Sequence, residues 1–98
     1  MITGNIHVEI GDTLHMTCNA TESDIPLEDI AWFKDGTDLE GSDRVRIYKR
    51  LSLKGKTIKS DIYIDRVDMS DTGYYLCRTT DQLTTHKHVQ VLNSKYVN

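Results

Sequence analysis

Polar and apolar residues alternate along most of this chain, and the 3.6-residue spacing of an amphipathic helix is weak throughout. About seven short runs place apolar or small residues at every second position, with turn residues between them, which is the pattern of half-buried β-strands. The first run is Ile6-His7-Val8-Glu9-Ile10, closed by a Gly11-Asp12 turn. Leu14, Met16, Cys18 and Ala20 then share one strand face, and His15, Thr17 and Asn19 the other. Thr21 to Asp29 is a polar loop holding the only proline, Pro26. Ile30, Trp32 and Lys34 alternate with Ala31 and Phe33. Lys34-Asp35-Gly36-Thr37 predicts a tight hairpin, because Asp-Gly suits the positive φ of a two-residue turn. Glu40 to Asp43 reads as a loop, Val45 and Ile47 as the next strand, and Leu51 to Lys56 as a basic turn around Gly55. Ile58, Ser60, Ile62 and Ile64 mark another strand, and the last runs from about Thr84 to Leu92.

The stretch Asp71-Thr72-Gly73-Tyr74-Tyr75-Leu76-Cys77 joins a turn signal to an alternating strand that ends in a cysteine. Aspartate and glycine two positions apart mark a corner. Beyond it, Gly73, Tyr75 and Cys77 fall on one face, and Tyr74, Leu76 and Arg78 on the other. The two cysteines of the chain, Cys18 and Cys77, are too far apart for a CxxC redox pair and too few for a zinc site. Two buried thiols and one long-range disulfide both fit. A disulfide would stabilise by roughly 4 kcal/mol on the chain-entropy view and would imply an oxidising compartment.

Ninety-eight residues, 38% hydrophobic and 28% charged, suit one small soluble domain over residues 1–98. The core is expected over about residues 4–93, with 94–98 as a tail or linker. No apolar run approaches the ~20 residues of a membrane span, so this domain is not expected to insert in a membrane. Met1-Ile2-Thr3-Gly4 has neither the basic start nor the apolar middle of a signal peptide, so a secreted form would carry it after signal removal. The net charge of -3 is unevenly spread: residues 1–43 hold ten acids against one base, Lys34. Residues 44–60 hold seven bases and no acid.

Cys18, Trp32 fourteen residues on, and Asp71-x-Gly73-x-Tyr75-x-Cys77 together resemble the immunoglobulin superfamily. Ile62-x-Ile64-x-x-Val67 leads into that motif as strand E does in the family, and Trp32-Phe33-Lys34-Asp35-Gly36 is similar to its I-set subgroup. The resemblance implies an all-β, two-sheet Greek-key sandwich with a Cys18–Cys77 disulfide between the sheets. Trp32 would pack on that bridge. Tyr75 would bury its ring and return its hydroxyl to backbone near Asp71, and Gly73 would permit the turn. Arg44 would close the bottom of the sandwich by a salt bridge to Asp71. All of these roles specify a fold and no ligand.

Function must then rest on surfaces. No serine, histidine and acid stand in a nucleophile setting and no Gly-rich phosphate loop occurs, so no enzymatic activity is expected. His86 and His88 share a strand face, but two imidazoles need a third ligand to hold zinc or copper, and neither metal nor cofactor is expected. Asn19-Ala20-Thr21 is an N-glycosylation sequon, with Asn19 pointing outward. Arg50, Lys54 and Lys56 of the basic stretch could hold heparan sulfate by charge attraction. Nucleic acid is not expected, because the domain as a whole is acidic. The resemblance places the strands of Trp32 (C), Cys77 (F) and Val89 (G) in one G-F-C sheet, whose outer face should by alternation present Phe33, Tyr74, Leu76 and Arg78, with His86, His88 and Gln90 alongside. Aromatic and arginine side chains favour interface cores. The resemblance therefore implies an extracellular recognition or adhesion module that binds a protein, homophilically or on another cell surface, through this face. The contrasting expectations are an intracellular muscle or cytoskeletal I-set domain and a receptor or growth-factor module that holds heparan sulfate.

Overall fold

The computed structural model describes residues 2–4, 6–21, 29–52, 57–79 and 84–93. Among them are nine strands: β1 (Ile2–Gly4), β2 (His7–Glu9), β3 (Leu14–Thr21), β4 (Ile30–Lys34), β5 (Thr37–Leu39), β6 (Val45–Ser52), β7 (Thr57–Ile64), β8 (Gly73–Thr79) and β9 (Thr84–Leu92). They form two sheets in the orders β1-β3-β7-β6 and β2-β9-β8-β4-β5.

Alternation fills the space between the sheets. Leu14, Met16 and Cys18 of β3 and Ile58, Ile62 and Ile64 of β7 are buried from one side; Trp32, Tyr75, Cys77, Val89 and Val91 are buried from the other. Each fully buried large side chain contributes roughly 1.5–3 kcal/mol relative to exposure. The Cys18–Cys77 disulfide joins β3 to β8 and so ties the sheets together. Trp32 packs in the same core, and its indole Nε1 donates to Ser60 Oγ at 2.9 Å across the sheets, which satisfies two buried polar atoms at once.

The expected first run, Ile6 to Ile10, holds β2, and an additional short strand, β1, precedes it. β1 pairs antiparallel with β3, whereas β2 pairs parallel with β9 in the opposite sheet. Gly4 makes the crossing possible: its φ is +145°, and a Cβ there would stand 2.6 Å from the His15 carbonyl oxygen. Three-residue strands are too short to display alternation, so periodicity missed β1. Ile6 lies between the two strands and is exposed.

The Asp35-Gly36 hairpin forms as expected, with φ of 49° and 84° and Lys34 paired to Thr37. The basic turn expected from Leu51 begins later, because Leu51 and Ser52 still pair with Ile58 and Thr57. Residues 53–56, with Lys54 and Lys56, lie outside the described residues, as does the tail expected at 94–98.

The corner before β8 is a short 3-10 turn over Met69–Asp71, capped by Asp68 in a reciprocal capping box. Tyr75 is fully buried and its hydroxyl donates to the Asp71 carbonyl at 2.5 Å. Arg44, just before β6, donates to the Asp71 carboxylate, which also accepts from the Asp68 backbone N–H at 2.8 Å. Gly73 serves differently from expectation: it is the first residue of β8 and has no positive φ. A Cβ here would lie 2.5 Å from the Asp35 carboxylate, which would have to move away from its bond to the Tyr74 N–H.

Candidate functional site

Strand register decides which outward side chains meet on the five-stranded sheet. β4 aligns Phe33 with Leu76, β8 aligns Leu76 with His86, and β5 places Asp38 beside Phe33. This gives a row Asp38–Phe33–Leu76–His86 across four strands. Tyr74 and His88 form the next row, and Arg78 lies on the other side, paired with Ala31 and Thr84. The Arg78 guanidinium sits 4.8 Å over the Phe33 ring. Tyr74 and His88 meet edge to face at 4.7 Å. Such contacts hold aromatic and cationic groups in fixed orientations.

Six of the seven expected interface residues are therefore brought together: Phe33, Tyr74, Leu76, Arg78, His86 and His88. Gln90 stands at the margin beside His7, half-buried, with its amide donating to the Val91 carbonyl. The patch is also less open than parity suggests. Tyr74 is 59% exposed, but Phe33 and Leu76 are half-buried. The Arg78 guanidinium lies over the Phe33 ring, so part of that apolar face meets a cation rather than open water. At the rim, the Asp35 carboxylate accepts from the Tyr74 backbone N–H at 2.9 Å, and this bond, with the Lys34 ammonium, holds its carboxyl below the ordinary 3.8.

The outer face of the other sheet holds a cluster that the sequence did not single out as a site. His15, Tyr63 and Arg46 form one cross-strand row; Thr3, Thr17, Asp61 and Tyr48 the next; Asn19, Lys59 and Arg50 the third. Tyr63 is stacked by His15 at 4.2 Å on one side and approached by the Arg46 guanidinium at 5.0 Å. Asp61 is buried, and it accepts from Thr17 Oγ1 at 2.6 Å, Arg50 at 2.9 Å and His15 Nε2 at 3.0 Å. Burial pushes its carboxyl up, but the bonds from Thr17, His15 and Arg50 outweigh that and hold it below 3.8. The alternation of His15, Thr17 and Asn19 was legible in the sequence; the strand β7 that completes the rows reads only as a core strand, because its inward isoleucines dominate.

The basic stretch is neutralised more than its composition suggests. Arg44 pairs with Asp71, Arg46 with Asp65, Lys49 with Asp29 and Arg50 with Asp61. Among the described residues no three His, Cys, Asp or Glu side chains are placed to hold a metal ion. No helix among them is long and apolar enough to cross a membrane.

Comparison with known proteins bears on the same geometry. The family profile described as "Immunoglobulin domain" matches residues 4–87. The Titin homolog of Caenorhabditis elegans is 32% identical over 79 residues, 76% of this chain. Human Hemicentin-1 is 30% identical over 91 residues, 88% of this chain. The chain spans 1% or less of the length of these two relatives. Among solved structures, a chain of the complex of Dpr2 Ig1-Ig2 with DIP-Theta Ig1-Ig3 superposes with a TM-score of 0.77 at 22% identity, covering 95% of this chain and 48% of that one. The first Ig domain of the mouse Polymeric Immunoglobulin receptor gives 0.64 at 20% identity, covering 94% of each chain.

Proposed function

The chain belongs to the immunoglobulin-domain family, and from that premise we propose that it is an extracellular recognition or adhesion module that binds another protein through the outer face of the β2-β9-β8-β4-β5 sheet. One observation carries this reading: the aromatic, apolar and arginine side chains of two adjacent strands, Phe33 of β4 and Tyr74, Leu76 and Arg78 of β8, gather in one patch with His86 and His88 of β9. Aromatic and arginine anchors supply most of the energy at protein interfaces, and prior fixing of their orientation lowers the entropy cost of binding. A structural neighbour solved as a complex between two multi-Ig proteins supports the class of partner. The Cys18–Cys77 bridge supports an oxidising compartment.

The alternative, a structural bead in an intracellular elastic chain, draws on the likeness to the Titin homolog. It predicts reduced Cys18 and Cys77 thiols in protein taken from its own cell, which mass spectrometry without reductant distinguishes.

The direct test displays the domain as a multimer against itself and a panel of immunoglobulin-domain ectodomains. Tyr74→Glu and Arg78→Glu, both at exposed positions, abolish the wild-type interaction on this reading, as does Phe33→Asp with Leu76→Asp. Tyr48→Ala, on the opposite sheet, leaves it unchanged. Binding that survives the first pair of changes places the site elsewhere.

A further inference from the structure

We propose that the outer face of the β1-β3-β7-β6 sheet is a second binding surface, and that its ligand is a sulfated glycan chain. The surface is an open depression of about 910 Å³ lined by residues of β1, β3, β6 and β7. Three cations, Arg46, Arg50 and Lys59, project from this outer face beside one lining carboxylate, Asp61. Asp65, outside the lining, is the ion-pair partner of Arg46. With Asp61 and Asp65 counted against the three cations, the face keeps a charge of +1 in a chain of net charge -3, a modest local excess of the sign a polyanion would seek.

The arginines are held in place before any ligand arrives. Arg46 donates to Asp65 through Nε at 3.2 Å and through its terminal nitrogen at 2.8 Å, and its guanidinium also approaches Tyr63. Arg50 is held by Asp61, which Thr17 and His15 fix from the β3 side. A guanidinium carries five N–H donors, so a carboxylate that takes one or two still leaves an edge able to address a sulfate. Arg46 and Arg50 are four residues apart on β6, about 13 Å along the strand, and Lys59 sits directly across from Arg50. The cations are thus spread along a line, which suits anionic groups recurring along an extended chain.

The chemistry favours a glycan over an acidic protein. Among the lining residues only Tyr48 is a widely exposed large hydrophobic side chain, so the depression lacks the apolar centre that protein interfaces bury. Its polar rims suit hydroxyl and sulfate groups. Asn19 shares the row of Lys59 and Arg50, so an N-linked glycan there would stand over the depression. The test therefore uses protein produced without glycosylation.

The probe is a heparin-derived oligosaccharide titrated calorimetrically, with fully desulfated heparin and poly-glutamate as comparisons. The expected result is binding to the sulfated probe alone, weakening steeply with added salt. Lys59→Glu, at an exposed position, lowers affinity at least tenfold, Arg46→Gln lowers it less, and Arg78→Glu on the other sheet leaves it intact. Thermal melts of each variant establish that it is folded. Equal binding of poly-glutamate, unchanged affinity in folded Lys59→Glu, loss of affinity in Arg78→Glu, or no binding of the sulfated probe overturns the proposal. Loss of affinity in Arg78→Glu would place the sulfated probe on the other sheet; the remaining outcomes leave the protein-binding reading of that sheet untouched.

Discussion

Asp71 links the two sheets at the base of the sandwich, and a double-mutant cycle there measures how much. Its carbonyl accepts from the Tyr75 hydroxyl, which is fully buried, and its carboxylate accepts from Arg44. Tyr75→Phe leaves that carbonyl without its bond while changing shape very little. Orphaning a buried acceptor costs about 1–3 kcal/mol. Arg44→Met breaks an ion pair whose side chains are 35% and 11% exposed, and it also removes donors to the Asp65 and Arg66 carbonyls. Buried pairs cost about 3–5 kcal/mol to break and surface pairs at most about 1, so partial screening puts this change at about 1–2 kcal/mol. Both changes act on one residue, so their combined loss should depart from the sum by about 0.5 kcal/mol or more. Urea unfolding reads the cycle. At an m-value of about 1–2 kcal/mol/M, each single variant shifts the midpoint by about 1 M with the slope preserved. A Tyr75→Phe protein within about 0.5 kcal/mol of wild type, or strictly additive losses, would falsify the view that Asp71 is a shared hub.

Gly73→Ala should lower Tm by about 5 °C in calorimetry, because its Cβ would collide with the Asp35 carboxylate. In an Asp35→Ala background the same change should cost nothing further, and a persisting loss would mean the glycine is needed for another reason. Replacing Cys18 and Cys77 together by alanine should cost about 2–5 kcal/mol in chemical denaturation, since the bridge closes a long loop between the sheets. Acid should destabilise the fold. Asp35, Asp65 and Asp68 are held below 3.8 chiefly by the Tyr74 backbone N–H, the Arg46 guanidinium and the Ser70 hydroxyl respectively. Stability from a lowered carboxyl is complete above the unfolded value and lost as pH falls through the folded one. Unfolding free energy should therefore decline below about pH 4, and Asp65→Asn should flatten part of that decline.

The sequence made the fold legible because a few positions have no substitutes. The tryptophan, the cysteines and the tyrosine two before Cys77 name a sandwich, and alternation assigns each neighbour to the core or to solvent. The same parity rule put Tyr74, Leu76 and Arg78 on one face of their strand, and the family resemblance set the strand of Phe33 beside it. Parity could not show how far Phe33 and Leu76 are covered, because that depends on their cross-strand neighbours, among them the Arg78 guanidinium over Phe33. Nor could it show that β1 and β2 join different sheets, a choice made at Gly4 by contact with β3. The Asp61 cluster was hidden for a related reason. Its members come from β3, β6 and β7, and register alone brings His15, Thr17, Arg50 and Asp61 together. The seven bases of 44–60 looked like one patch in the sequence. The fold sends Arg44 to Asp71 at the base and Arg46 and Arg50 outward on β6.

Recognition through the β2-β9-β8-β4-β5 sheet is tested most directly by footprinting the bound domain. Diethyl pyrocarbonate modifies exposed imidazoles, and the chain has reporters on both faces: His86 and His88 on the proposed interface, His15 on the opposite sheet. Labelling is quantified by mass spectrometry for the domain alone and for the domain bound to the partner found by the ectodomain panel. Binding through this face should protect His86 and His88 and leave His15 as reactive as before. Protection of His15 with unchanged labelling of His86 and His88 would contradict it.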